Sequence, residues 1–343
     1  MDKIQHGPHE QLSAGSLIAR LQQRIDEAVR FDIPMSRTYS LLDFPDYSNV
    51  GDTLIWLGAN KFLRDKFGCG PSYTATARGF DPDALRELAP EGPIFLSGGG
   101  NFGDLWPHFQ AFRLSVLRNF PDRQVIQLPQ TIHFESTEGA VATQQAISEH
   151  SNFLLLVRDK PSQDFAQDVM GCDAILCPDM AFALGPLTPT REATHDIAVM
   201  LRTDKEGNGN LLNFQAPATM SVTSFDWIHN EQLPFSARFF GRTHRHTGWP
   251  SSKWLQERRA KFRLSRGIAL LSQGRTLLTD RLHGHILAIL LGMPNAVLDN
   301  SYGKLRNFHL MWTKDFVDAS FHADVVQALE WVERRQIQYN PGS

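Results

Sequence analysis

The sequence predicts an α/β protein built from two Rossmann-like domains, residues 1–188 and 189–343, facing each other across a cleft. Three observations carry this expectation. Short continuous apolar runs such as "PIFLS" and "NFLLLV" alternate with helical stretches, the pattern of a parallel sheet covered on both faces. The chain has 343 residues, more than one ordinary core accommodates. A second strand–helix series begins at "DIAVMLR", after the Pro/Thr-rich stretch "GPLTPTREAT", which reads as the interdomain linker and as a hinge for closure.

Each element has a local reason. Leu17, Ile18, Leu21, Ile25 and Val29 recur at helical spacing and predict an amphipathic opening helix. "TYSLLDF", "SYTATA", "PIFLS", "QVIQLP", "NFLLLV" and "DAILC" read as strands. Between them "DTLIWLGANKFLRDKF", "DPDALREL", "LWPHFQAFRLSVLRNF", Glu138 to Glu149 and "PSQDFAQDVM" read as helices. The second half continues with strands "SVTSF", "TLLTD" and "NAVLD", and with helices near Ser252 to Gln273, after His283, and near Ala323 to Arg335. "DKEGNGN" and "GRTHRHTGWP" read as loops.

Composition narrows the function classes. A hydrophobic share of 42% and a charged share of 21% are those of a globular protein, and the net charge of -3 argues against a nucleic-acid partner. Three cysteines form no disulfide framework and lack zinc-ligand spacing. No carboxylate cluster has metal-ligand spacing either, so neither a metal nor a cofactor is expected. The opening residues carry no secretory signal, and no apolar run reaches the roughly 18 residues of a membrane span. The expected location is cytoplasmic, or peripheral at the inner face of the membrane.

The polar residues collect where strands run into helices, the edge at which open parallel sheets bind ligands. In "TLLTDRLHGHILAILLGMPNAVLD" the cluster Asp280, Arg281, His283 and His285 falls between two apolar runs. A plainer reading makes Asp280 a helix cap paired with Arg281. "FLSGGGNFGDLWP" matches the glycine spacing of a dinucleotide loop, but the ribose-binding acid is missing, so the glycines are better read as close backbone approach to a ligand. Asp104 there is a candidate base or sugar-hydroxyl acceptor, or simply an N-cap, and Asn101 is a candidate substrate contact. Asp52, in "DYSNVGDTLIWLG", and His133, in "QLPQTIHF", open two further edges of the same kind. Arg158, Arg202 and Arg281 each end a buried strand, and three such arginines suggest an anion clamp, because the guanidinium fork binds carboxylate and phosphate bidentately.

The ordered set "SNVGDTLIWLG", "LSGGGNFGDLW", "VIQLPQTIHF", "VRDKPS", "CPDMAFAL" and "LLTDRLHGHILAILLGMPNAVLDNSYGKLRNF" resembles the polysaccharide pyruvyl transferase family over roughly residues 38 to 312. The resemblance implies a fold similar to two-domain GT-B glycosyltransferases, with the acceptor on the N-terminal side and phosphoenolpyruvate on the C-terminal side. It implies pyruvyl transfer from phosphoenolpyruvate to a sugar of an exopolysaccharide or cell-wall polymer, or its lipid-linked precursor, with formation of a cyclic pyruvate ketal and release of phosphate. The arginine and histidine that contact the donor in such relatives match Arg281 and His283, and a further donor arginine matches either Arg158 or Arg202. His283 is then the expected proton donor to the enol carbon and Asp104 the expected base. The rival expectations are a GT-B glycosyltransferase using a nucleotide sugar and a non-catalytic carbohydrate-binding protein.

Overall fold

The computed structural model describes residues 11–31, 34–35, 37–202, 219–228, 252–299 and 303–339. The loops expected at "DKEGNGN" and "GRTHRHTGWP" lie outside these residues. The chain forms two compact units, each with its own parallel sheet. One comprises residues 22–184 and 227–267; the other comprises 1–21, 185–226 and 268–343. The break at Leu184/Gly185 falls at the start of the expected linker. The sequence reading did not anticipate that 1–21 and 227–267 would cluster with the unit farther from them in the chain.

The first sheet contains β1 (Ser40–Leu42), β2 (Tyr73–Ala75), β3 (Ile94–Leu96), β4 (Gly99–Gly103), β5 (Val125–His133), β6 (Phe153–Val157) and β7 (Ala174–Leu176). Its order is β2-β1-β3-β5-β6-β7, with β4 pairing the far half of β5, and every pairing is parallel. The helices of this unit are α2 (Val50–Phe67), α3 (Pro82–Leu88), α4 (Pro107–Asn119), α5 (Thr137–Ser148) and α6 (Lys160–Asp168). Their starts follow capping chemistry. The side chains of Asn49, Asp81, Ser136 and Asp159 accept hydrogen bonds from first-turn amides, and Gly68 closes α2 in a left-handed conformation.

The second sheet contains β8 (His195–Met200), β9 (Val222–Ser224), β10 (Gly274–Thr279), β11 (Asn295–Leu298) and β12 (Ala319–His322), in the order β12-β11-β10-β8-β9, again all parallel. Counted from its own first strand, each sheet thus begins 2-1-3. The crossovers reverse direction between first and third strands, opening a crevice at their carboxyl ends. Helix α1 (Ala14–Ala28) and α7 (Ser252–Leu271) each run from one unit into the other. Among the described residues the remaining helices are α8 (Leu282–Leu290), α9 (Lys304–Phe308), continued by a π-helical turn at His309–Thr313, and α10 (Val325–Tyr339). The core residues Leu17, Ile18, Leu21, Ile25 and Val29 of the opening segment are all buried, as their spacing requires.

Two local expectations are corrected. The glycine stretch is not a strand-to-helix loop. It is strand β4, and Gly103 (φ +132°) lies so close to β5 that a Cβ there would sit 1.7 Å from the His133 carbonyl oxygen. Likewise β5 does not stop at Pro129 but runs on to His133, because β4 supplies that half with hydrogen-bond partners. β12 and the segment 304–313 were not anticipated. β12 is half-exposed and short, and a π-turn has no apolar period of its own.

Candidate active site

Two polar clusters form where the sheet orders reverse, one in each unit. In the first unit the exits of β1 and β3 form a pocket lined by Asp43, Pro45, Tyr47, Asp52, Ser97, Gly98 and Asn101. Asn101 is held from both sides: its Oδ1 accepts from Gln130 Nε2 at 2.9 Å and from Arg113 Nη2 at 3.1 Å. That fixes its amide so that Nδ2 donates to Asp43 Oδ2 at 3.1 Å. Arg113 is itself buried, donating to Gln127 at 2.7 Å and Gln110 at 2.6 Å, with its guanidinium over the Phe102 ring. Asp52 Oδ2 accepts from the Tyr47 hydroxyl at 2.9 Å and from Asn49 Nδ2 at 2.8 Å.

Asp43 is the residue that the sequence reading missed here, absorbed into the strand "TYSLLDF". It sits one residue beyond β1 at φ +66°, which few non-glycine residues adopt, and is 6% exposed. Burial pushes its carboxyl up to about 6. Arg113 and Asn101 pull it down in part, and Asp52 adds to the rise. The available signal was a carboxylate directly after a three-residue buried strand, at the edge where ligands bind.

In the second unit the exits of β8 and β10 bring Arg202, Asp280 and Arg281 together. Asp280 is fully buried, and its Oδ1 accepts from the Arg202 amide at 2.8 Å. Burial raises the Asp280 carboxyl to about 6 against the pull of the Arg202 amide and of both arginine charges. Arg281 forms a buried ion pair with Asp226, Nη2 to Oδ2 at 2.6 Å, and its amide donates to Thr279 Oγ1 at 3.0 Å. α8 starts at once, with Arg281 at the cap position and no side-chain cap bond, so its first-turn amides are left without a side-chain cap. His283 lies in the first turn, half-buried. Gly284 lets the helix seat there, since a Cβ would lie 2.2 Å from Met200 Cε and 2.8 Å from Thr279 Oγ1.

His285 faces the other way. It is buried, with Nδ1 2.6 Å from Asn295 Oδ1 and Nε2 2.7 Å from Thr313 Oγ1. The Asn295 amide donates to the Met293 carbonyl, so its oxygen receives the His285 Nδ1 proton, and Nε2 accepts from Thr313. Thr313 in turn accepts from His309 Nδ1 at 3.0 Å. Both imidazoles are thereby neutral, and burial drives them down to about 3 for His285 and about 4 for His309.

Of the remaining sequence candidates, Arg158 borders the first cluster, its Nη2 3.3 Å from where a Cβ on Gly100 would stand and its amide donating to the Gln130 carbonyl at 3.1 Å, whereas Asp104 and His133 do not line the Asp43 pocket. Arg158 is buried in the first unit, paired through Nη1 with Asp179 at 2.7 Å and through Nε with Thr131 Oγ1 at 2.9 Å. Asp104 turns toward the segment after β5: Oδ1 accepts from the Glu135 amide, and Oδ2 accepts from the amide and hydroxyl of Ser136, each at 2.8 Å. Slight desolvation raises the Asp104 carboxyl, but these three hydrogen bonds outweigh it and hold it below the usual range. That is the state of a loop-fixing acceptor more than of a base. His133 ends β5 beside Gly103, outside the Asp43 pocket.

No helix among the described residues is long and apolar enough to cross a membrane. A profile of the family described as polysaccharide pyruvyl transferase matches residues 49–302. EpsO of Bacillus subtilis (strain 168) is 31% identical over 290 residues, covering 82% of this chain and 87% of the relative. Pyruvyl transferase 1 of Schizosaccharomyces pombe is 31% identical over 294 residues, covering 80% of this chain and 69% of that protein. A solved structure of an uncharacterised Klebsiella pneumoniae protein superposes with a TM-score of 0.56 at 18% identity, over 90% of this chain and 98% of that one, a likeness of fold. With the profile spanning most of the chain, the protein belongs to the polysaccharide pyruvyl transferase family and is a transferase.

Proposed function

We propose that the protein moves the pyruvyl group of phosphoenolpyruvate to a sugar residue of an exopolysaccharide or cell-wall polymer, or of its lipid-linked precursor, closing a cyclic ketal and releasing phosphate. The observation that supports it best is the Arg202–Asp280–Arg281 cluster at the mouth of α8. Phosphoenolpyruvate carries a carboxylate and a phosphate on a three-carbon frame, so a site for it needs fixed cations and amide donors close together. Arg281 has its buried partner Asp226 to hold it in place, and Arg202 shares Asp280 with it. Arg158, tied to Asp179 in the other unit, fits the role of second donor arginine less well. His283, in the first turn of the same helix, is the proton donor to the methylene carbon.

On this reading the unit that carries β8–β12 is the donor side and the unit that carries β1–β7 the acceptor side, with Asp52 and Asn101 facing the sugar. The two Rossmann-like units are then used as in a GT-B enzyme, and the work is done in the cytoplasm or at the inner membrane face. The test is product analysis with a panel of oligosaccharide and lipid-linked acceptors. Acceptor-dependent release of inorganic phosphate from phosphoenolpyruvate, with a gain of one pyruvate ketal in the sugar, is expected. Release of a nucleoside diphosphate from a nucleotide sugar would replace this reading with glycosyl transfer.

A further inference from the structure

Pyruvyl transfer to a hydroxyl needs a group that takes the hydroxyl proton, and the sequence offered Asp104 for it. Both Asp104 oxygens already serve the 135–136 turn. The first unit holds another carboxylate in a different state. Asp43 is more than nine-tenths buried and lines the pocket between the exits of β1 and β3. Its Oδ2 receives the Asn101 amide, while its Oδ1 makes no hydrogen bond among the described residues.

We propose that Asp43 is the base of the acceptor site, taking the proton of an attacking sugar hydroxyl on Oδ1, while Asp52 accepts a hydrogen bond from a neighbouring hydroxyl of the same sugar. The inference rests on the pyruvyl-transfer reading. In the step, the C2=C3 π pair of the donor takes the His283 proton at C3 while the hydroxyl oxygen bonds to C2 and its O–H electron pair stays on oxygen. The hydroxyl proton moves to Asp43 Oδ1 and passes to water as the product leaves. A second hydroxyl of the sugar then displaces phosphate from C2, its proton leaving with the phosphate.

The surroundings suit the role. The Asn101–Gln130–Arg113 chain fixes the carboxylate plane, so the base is held without its second oxygen being engaged. The charged and titratable groups that face Asp43 are Arg113 from α4, Asp52 from α2 and Tyr47 from the loop between β1 and α2. Asp52 differs from it in taking two donors, Tyr47 and Asn49, on a single oxygen. Two carboxylates in one pocket with unlike surroundings divide into a proton acceptor and a binder. A base near 6 is deprotonated at neutral pH yet retains proton affinity, and it predicts an acid limb near pH 6 in kcat/KM for the acceptor.

The backbone at Asp43 supplies clean variants. At φ +66°, asparagine and glycine are the two replacements that fit the conformation. Asp43→Asn is expected to lower kcat about 100- to 10,000-fold, with phosphoenolpyruvate affinity in calorimetry and melting temperature kept at or above wild type. Asp43→Gly opens space beside Asn101, and added formate should restore part of its turnover. Wild-type kcat in Asp43→Asn, or loss in both variants with no rescue by formate, overturns the proposal. Absence of acceptor-dependent phosphate release by the wild-type protein across the acceptor panel would instead remove the pyruvyl-transfer reading, and the role of Asp43 with it.

Discussion

At the scale of single residues, two histidines two positions apart have opposite fates. His283 lies in the first turn of α8 beside the Arg202–Asp280–Arg281 cluster, whereas His285 is turned about 200° around the helix axis and locked between Asn295 and Thr313. His283→Gln is expected to keep most of the donor affinity, because glutamine still donates a hydrogen bond, and to lose about 10² to 10⁴ in kcat. His285→Gln should lower the melting temperature with a smaller effect on kcat. Measuring both quantities on both variants decides it, and a reversed pattern would show that the wrong histidine has been assigned. If Arg281 holds the donor as proposed, Arg281→Ala removes a charged hydrogen bond to it, worth about 1.5–3 kcal/mol, so phosphoenolpyruvate should bind roughly 10- to 150-fold more weakly in calorimetry. The same change leaves Asp226 buried without its ion pair. The double variant Arg281→Ala with Asp226→Asn should therefore recover stability but not affinity; recovery of affinity would separate Arg281 from the donor.

At the scale of elements, β4 depends on a missing side chain. Gly103→Ala would drive a methyl into the His133 carbonyl and force an unfavourable φ, so a loss of at least about 1–3 kcal/mol is expected in denaturant unfolding. Wild-type stability would mean that β4 does not pack as described. α8 is tied to β11 and the π-turn by neutral histidines, which couples its packing to pH. His285 and His309 titrate far below the ordinary 6.5, so between about pH 4 and 6.5 the unfolded chain binds protons that the folded chain refuses. Their contribution to stability is lost as pH falls through that window, by up to about 1.4 kcal/mol per pH unit for each. Asp43 and Asp280 act in the opposite sense. Raised to about 6, they hold protons between about pH 4 and 6 that the unfolded chain releases, so they favour the fold as pH falls. Asp280→Asn removes one opposing group. Its melting temperature should exceed that of wild type at pH 8 and lose this advantage by pH 4; parallel curves would contradict a buried, raised carboxyl at Asp280.

At the scale of the whole molecule, each unit has its own sheet, its own reversal of strand order and its own polar cluster. The proposed donor and acceptor roles therefore separate by unit, and hydrogen exchange can read them separately. Saturating phosphoenolpyruvate, at about 100 times its Kd, adds about 2.7 kcal/mol to the state that binds it. Slower exchange is expected at residues 201–202 and 280–285, with residues 43–52 unchanged until an acceptor sugar is added. Protection by phosphoenolpyruvate confined to residues 43–52 would reverse the assignment of the two sides.

The sequence by itself determined the alternation of strands and helices, the family, and the positions at which polar residues leave the strands. These are local properties, set by apolar periodicity and by caps within four residues of each helix start. Arg202, Arg281 and His283 could be proposed from the sequence because they stand at or just beyond the ends of apolar strands. Tertiary structure alone decided which groups meet. Asp43 finds its partner 58 residues away in Asn101, Arg158 finds Asp179, and Asp104 finds the 135–136 turn. A carboxylate's chemistry is set by how many donors reach it and how much water is excluded. Both depend on contacts between distant strands, so the sequence could mark Asp104 as a carboxylate at the sheet edge without showing that its oxygens were taken.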